Sequence, residues 1–468
     1  MDVYIILVVN TDYDLKLVNG NILTDGGFID SAGIKNGLFS SMHPEGSSAK
    51  TIDLNGKYVI PGFIDAHTHM LTLGLQQNKL NFENVSDINT IINMVYQRSL
   101  SDEKVITGYN WDESLWHGEY ITKKDLDIVK KPVILYRRDL HMATLNSKAL
   151  EILNIDSNNG IINEELMRKI EYITEPDENE IINALKRSIE ISKSYGVTAF
   201  RDMVDLKTYS AYKNIRSYVT IYKSIYSNFY FDGFGNNTND LGIKIFMDGS
   251  IGAGTAAHIN SKNLKMDVNS LINMANNYWS KNLPLAVHAI GEIAIDTTLK
   301  AFSKSPGKIR NSIEHFELMD DDIINNVDDN TVISSQPNYL QWNNDNGLYE
   351  NALGKEWLSK NNSFRYIIDS GKHLAFGSDC MPFNPFYGIN FAINSKYSNQ
   401  RINIFEAIKA YTYGSAYLLG KENCMGKIKN NYKADFIILD DDFFKNLNDI
   451  SIYKPVETFI NGISVFKR

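Results

Sequence analysis

Cysteine is scarce. Of 468 residues only Cys380 and Cys424 carry a thiol, so no disulfide framework holds the fold, and the pair suits a reducing compartment. An excess of positive charge is also missing. Lys and Arg number 47 against 56 Asp and Glu, a net charge of −9, which leaves no basic footprint for nucleic acid or an acidic membrane. No apolar run reaches the roughly 18 residues of a membrane span. Met1–Val9 is apolar but has no basic residues ahead of it, and polar residues follow at once. It reads as a strand, not a secretory leader, and the cytoplasm is the default location. No low-complexity tract or internal repeat occurs. Gly249-Ser250-Ile251-Gly252-Ala253-Gly254 is glycine-rich but lacks the full dinucleotide fingerprint and the Gly-Lys-Ser/Thr of a phosphate loop. It reads as a tight loop after a strand.

What is present is a globular balance, 43% hydrophobic and 22% charged. The length suits a large barrel with a small accessory domain. Residues 1–57 read as short strands, and Asn19-Gly20 between Leu15–Val18 and Asn21–Leu23 is a hairpin signal. Residues 421–468 share that grammar, with a strand at Ala434–Leu439 and a second Asn-Gly hairpin, Asn461-Gly462, within Thr458–Phe466. Neither end has enough strands to bury a face alone, so both are expected to join in one small β-sandwich. From 58 to 420, strand-like runs alternate with helical stripes. Ile181, Ile182, Leu185 and Ile189 share a helix face, with Gly196 as its cap. Strands are expected at Val197–Phe200, Ile243–Met247, Leu285–His288, Ser312–His315, Val332–Ser335 and Leu374–Asp379, and a helix over Phe405–Leu419 ended by Gly420. Short apolar strands separated by helices imply a parallel sheet. Their number makes a TIM-like (β/α)8 barrel the first choice within the α/β class, and an open doubly wound sheet the second. The stretch from about 80 to 170, with Trp111, Trp116 and Tyr136–His141, breaks this spacing. It is expected to be an insertion, helical with some strand, over the active face.

The chemistry is organised around Val59–His69, an apolar run that turns polar at its end. Residues two apart on a strand share a face, so His67 and His69 would point together like two arms of a metal clamp. Alone, such a pair could equally be solvated loop residues. But polar residues recur at the other strand ends: Lys244 lies within one, and His288, His315 and Asp379 at or near the ends of others. In a parallel barrel those ends share one face, and closure lets Asp379 reach His67 and His69. Four imidazoles and a carboxylate without thiolate suit zinc, and also iron, manganese or nickel. An ammonium beside a dication is strongly disfavoured. Lys244 is therefore either carboxylated to an anionic carbamate bridging two metals, or turned outward to an acid.

Pro61-Gly62-Phe63-Ile64-Asp65-Ala66-His67-Thr68-His69, followed in order by Lys244, His288, His315 and Asp379, resembles the amidohydrolase superfamily. Gly108–Glu113, Asp139–Leu150, Lys244–Ser250 and His288–Glu292 are similar to the YtcJ-like amidohydrolases (amidohydrolase family 3), a group that includes N-substituted formamide deformylases. The resemblance spans nearly the whole chain. It implies a distorted barrel with a sandwich built from both termini. It also implies His67, His69 and Asp379 on one metal, His288 and His315 on another, and a carboxylated Lys244 between them. The implied reaction is hydrolysis of a carbon–nitrogen bond other than a peptide bond by a metal-bound hydroxide, with Asp379 as proton shuttle. The expected cofactor is one or two divalent metals per chain, zinc foremost. Trp111, His141, Arg201 and Asp248 are candidates for substrate contact. Cys380 is not required as a nucleophile, since the metal supplies one. The alternatives are a lactonase or esterase of the same design, a mononuclear deaminase with an unmodified Lys244, and a non-catalytic barrel relative. The expected partner is a small-molecule substrate, with no nucleic acid and no membrane, and a homodimer stays open.

Overall fold

The computed structural model describes residues 11–468 apart from 78, 84, 117, 118, 138–141, 164, 165, 260, 262 and 346. The strand expected at Met1–Val9 lies outside the described residues. Eight parallel strands form one sheet: β1 Phe63–Thr68, β2 Val197–Val204, β3 Thr220–Tyr226, β4 Asp240–Phe246, β5 Leu285–Ala289, β6 Asn311–His315, β7 Thr331–Ser335 and β8 His373–Phe376. Neighbours pair in chain order. Its two edges meet. Asp379 N donates to His67 O at 2.8 Å, and Ser378 N donates to Asp65 Oδ1 at 2.9 Å. The result is a nearly closed barrel. All six residues of β1 and all eight of β2 are buried, as expected for strands covered on both faces.

One barrel strand escaped the sequence reading. Within β3, Lys223 and Ser224 interrupt the apolar run. Both are buried because Lys223 Nζ sits 3.2 Å from Asp240 Oδ1 and Ser224 Oγ donates to Leu241 O at 3.3 Å. The helix expected over Phe405–Leu419 is present but broken. Ile404–Lys409 and Ser415–Leu418 flank a π turn at Ala410–Gly414. A Cβ on Gly414 would stand 2.1 Å from Leu374 O, so the widened turn lets the helix press against β8.

The Asn19-Gly20 turn is not a hairpin. Tyr13–Val18 pairs with Ala32–Lys35 and Ser48–Asp53, while Asn21–Thr24 pairs with Gly27–Ile29 and Tyr58–Pro61. The turn carries the chain from one sheet to the other, because Leu15, Leu17 and Ile22 then all reach one shared core. Asn461-Gly462 does form a hairpin, with φ of 50° and 74° and antiparallel pairing of Glu457–Ile460 with Ile463–Lys467. The six-stranded sheet combines both ends of the chain: Phe436–Leu439 lies antiparallel to Tyr58–Pro61. Burying Phe39, Val59, Phe436 and Phe459 in that core contributes about 1.5–3 kcal/mol per side chain. Only Gly62 separates Tyr58–Pro61 from β1, so this sheet anchors the strand that carries the first histidines.

The chain divides into two compact units, one of residues Met1–Met70 with Ile189–Arg468 and one of Leu71–Ser188. The second is framed by a five-stranded sheet in the order Ile161–Asn163, Met142–Leu145, Val133–Arg137, Ile106–Trp111 and Leu80–Asn81. That is more strand than its sequence suggested. Among the described residues, no helix is long and apolar enough to cross a membrane.

Candidate metal centre

His67 is the penultimate residue of β1, and His69 follows that strand directly. Their ring centres lie 5.4 Å apart. Both approach Asp379 Oδ1, His69 Nε2 at 2.9 Å and His67 Nε2 at 3.6 Å. Asp379, beyond β8, adopts left-handed backbone with φ of 50°, which few residues other than glycine do without a reason. His315, the last residue of β6, is also left-handed, φ 77°. Its ring stands 5.0 Å from that of His67 and 4.4 Å from that of His288. Lys244 Nζ lies 3.4 Å from His67 Nε2. The ligand atoms of His67, His315 and Asp379, all buried, fall within 4.8 Å of one another. His69 and Lys244 adjoin this trio, while His288 turns its Nε2 to Gly249 O at 2.9 Å.

Burial, then the Lys244 charge, pushes His67 down to about 4. The same causes put His288 at about 3. Burial and the His288 ring hold His315 well below the usual imidazole range. All three rings are therefore neutral at pH 7, with a lone pair to offer. Burial opposes ionisation of Asp379, but His69, His67 and His315 outweigh it and hold the carboxyl well below the usual range. Neutral imidazoles and an ionised carboxylate, gathered without thiolate, are the donor set of a divalent cation. The residues present fit one.

A second layer of contacts orients these donors. His67 Nδ1 donates to Glu314 Oε2 at 2.7 Å, which leaves Nε2 as the free nitrogen. Arg201 Nη2 donates to Glu314 Oε1 at 2.5 Å, Nη1 to Ser312 Oγ at 3.1 Å and Nε to Ala66 O at 2.7 Å. His315 Nδ1 is held by Gln336 Oε1 at 2.7 Å. Tyr339 OH donates to Asp379 Oδ2, and Tyr226 OH lies 3.3 Å from His69 Nδ1. Asp248 accepts from Ala257 N at 2.9 Å, Ile290 N at 3.1 Å and Gly291 N at 2.8 Å, and stands 3.5 Å from His288 Nε2.

Of the six sequence-predicted ligands, His67, His315 and Asp379 gather their donor atoms, His69 and Lys244 adjoin them, and His288 neighbours His315 with its Nε2 on Gly249 O. The predicted substrate contacts do not form one group. Arg201 and Asp248 are buried with their polar atoms engaged as above, so they position other residues. Trp111 is fully buried in a core of the second unit, its indole nitrogen donating to Leu135 O at 2.9 Å. His141 lies outside the described residues. Sequence reasoning missed Glu314, Gln336 and Tyr339. The one available cue was Ser312 and Glu314, polar residues two apart that flank Ile313 just before His315.

The sequence model of the amidohydrolase family matches residues 50–466. The chain belongs to that family. It is 25% identical to YtcJ of Bacillus subtilis (strain 168) across 95% of this chain and 96% of that protein. It is 23% identical to an imidazolonepropionase of Picrophilus torridus across 92% of this chain and 91% of that one. The solved structure of an uncharacterized metal-dependent hydrolase from Pyrococcus furiosus superimposes with a TM-score of 0.77 at 25% identity, covering 91% of this chain and 98% of that one. The chain is accordingly a hydrolase of the amidohydrolase superfamily with a candidate metal site.

Proposed function

We propose that this protein is a metal-dependent amidohydrolase cleaving an amide-like C–N bond other than a peptide bond. The observation that carries the reading is the gathering of His67, His315 and Asp379 within 4.8 Å from strands far apart in sequence. His67, His69, His288, His315 and Asp379 would hold one or two divalent cations, zinc foremost, with Lys244 as a further donor once carboxylated. A cation there acidifies water and polarises a carbonyl oxygen. The remaining chemistry belongs to the chain. Tyr339 OH occupies Asp379 Oδ2, so Oδ1, which faces His67 and His69, is the oxygen that takes a proton and returns it to the leaving nitrogen. Glu314 keeps the proton of His67 on Nδ1. Burial lowers Lys244 to about 8 despite Glu314 and Asp379 nearby. Its amine is therefore neutral often enough to add carbon dioxide, lose a proton and become a carbamate anion, removing an ammonium from beside His67.

A single-cation centre is the second reading. It is favoured by His67, His315 and Asp379 being the one such cluster among the described residues. There Lys244 stays an amine, and deamination is the expected reaction. Metal analysis of the purified holo-protein counts the cations per chain. A panel of N-substituted formamides, cyclic amides and lactones then identifies the bond. Asp379→Asn is expected to retain metal and lose nearly all turnover. Wild-type turnover in that variant, or lactones outpacing every amide, overturns the reading.

A further inference from the structure

Lys265 is a charged side chain at the rim of the centre with no part in the network described above. It lies between β4 and the helix Val268–Trp279, and its backbone N–H donates to Met247 O at 2.8 Å. Its ammonium stands 5.0 Å from the ring centre of Phe246. The Lys244 ammonium stands 5.1 Å from the same ring. The two nitrogens are thus no farther apart than those two distances laid end to end. Phe246 ends β4, two positions beyond Lys244 and on the same strand face. Its ring is 5.2 Å from that of His288 and stacks at 6.0 Å on Tyr226. It is nevertheless 37% exposed. A large aromatic open to solvent beside metal donors is a surface for an apolar ligand group.

The charges around Lys244 sharpen the point. Glu314, Asp379, Arg201 and Lys265 all act on it. Glu314 and Arg201 are locked to each other, and Asp379 faces His69. Lys265 is exposed, and among the described residues its ammonium has no ion-pair partner. Lys265 thus presents a positive charge over the exposed Phe246 ring at the rim of the centre, whichever form Lys244 takes. Asp248 feels that charge from its buried position, and the exposed ammonium remains free to attract an incoming negative charge.

We propose that Lys265 and Phe246 select the substrate: an N-acyl compound with an aromatic or apolar group beside the scissile bond and a carboxylate that pairs with Lys265. The inference rests on the hydrolase reading above. The reaction adds water across the amide, hydroxyl to the acyl carbon and hydrogen to the nitrogen, and an N-acylated aromatic amino acid fits where a neutral amide of the same shape fits less well.

N-formylphenylalanine and N-(2-phenylethyl)formamide differ only in the carboxylate, and both can be offered to the metal-loaded protein. The anionic amide is expected to have a kcat/KM higher by about tenfold, the size of one hydrogen bond to a charged group, carried in KM. Lys265→Gln should erase that preference, bringing kcat/KM on the anionic amide down to that on the neutral one. Phe246→Ala should raise KM for both. Equal kcat/KM for the two amides in the wild type, or an equal loss on both in Lys265→Gln, overturns the proposal and leaves the hydrolase reading standing. A second readout needs no turnover. Calorimetry on metal-free protein should show 3-phenylpropanoate binding more tightly than 3-phenylpropanol, with the difference gone in Lys265→Gln; no difference in the wild type overturns the proposal as well. If no amide is turned over and the anion is still preferred, the hydrolase reading falls and the binding site stands.

Discussion

Glu314 is a fully buried carboxylate that stays ionised. Burial opposes its charge, but Arg201, His67 and Lys244 outweigh it and hold it well below the usual range. Its task is to fix one ring nitrogen. Glu314→Gln keeps the shape but weakens the pairing with His67 and Arg201. Metal affinity should fall roughly 10–100-fold, as for other partners that orient a metal-bound histidine. Unfolding should cost about 3–5 kcal/mol less, the penalty of a broken buried pair. A metal titration and a denaturant melt check the two effects separately. Tyr339 does for Asp379 what Glu314 does for His67. Tyr339→Phe leaves Oδ2 without its donor and costs about 1.5–3 kcal/mol of charge-assisted hydrogen bonding. Turnover should drop by at least about tenfold with metal content unchanged in the same preparation. Loss of metal instead would show that Tyr339 matters to binding rather than to the proton.

At the level of strands and turns, the closure between β1 and β8 is tight. A Cβ on Gly377 would stand 2.5 Å from His67 N and 3.1 Å from Asp65 Oδ1. Gly377→Ala must push β8 off β1, and with it Asp379 off His67. It should lower both the melting temperature and the metal occupancy, which a calorimetric scan and metal analysis would report together. Much of this architecture was legible beforehand, because short buried strands and helical stripes differ in period. What misled or escaped had local causes. β3 hides its burial behind Lys223, whose charge is neutralised by Asp240, a residue no pattern links to it. Asn19-Gly20 has the dihedral preference of a hairpin, φ 57° at Asn19, but a turn specifies a bend and not which sheet comes next. Glu314 adjoins His315, and alternation along a strand assigns neighbours to opposite faces. The left-handed backbone at His315 cancels that rule, and no residue type announces it.

At the scale of the molecule, the donors come from barrel strands spread between His67 and Asp379, and the cation would tie them together. Anything bound by the folded form alone adds stability, about 2.7 kcal/mol at a hundredfold excess over Kd. Chelation should therefore lower the melting temperature, and re-addition of metal should restore it. The pH at which the cation leaves follows from the depressed imidazoles. A proton competes for a ring only below that ring's own pKa, and His67 sits at about 4 and His288 at about 3. Metal content after equilibration should hold down to about pH 5, below the region near 6.5 where exposed histidines release their metals. Release already near 6.5 would mean that the rings are more solvated than their burial indicates.

The six-stranded sheet sets the order in which the protein can be completed on the ribosome. Tyr58–Pro61 emerges before the barrel and carries β1 with it, but its antiparallel neighbour Phe436–Leu439 is translated only after β8. For most of synthesis that edge has open backbone donors and acceptors, the kind of edge that pairs with the wrong chain. Until Phe436–Leu439 arrives, that edge is where a nascent polypeptide of this design is open to mispairing.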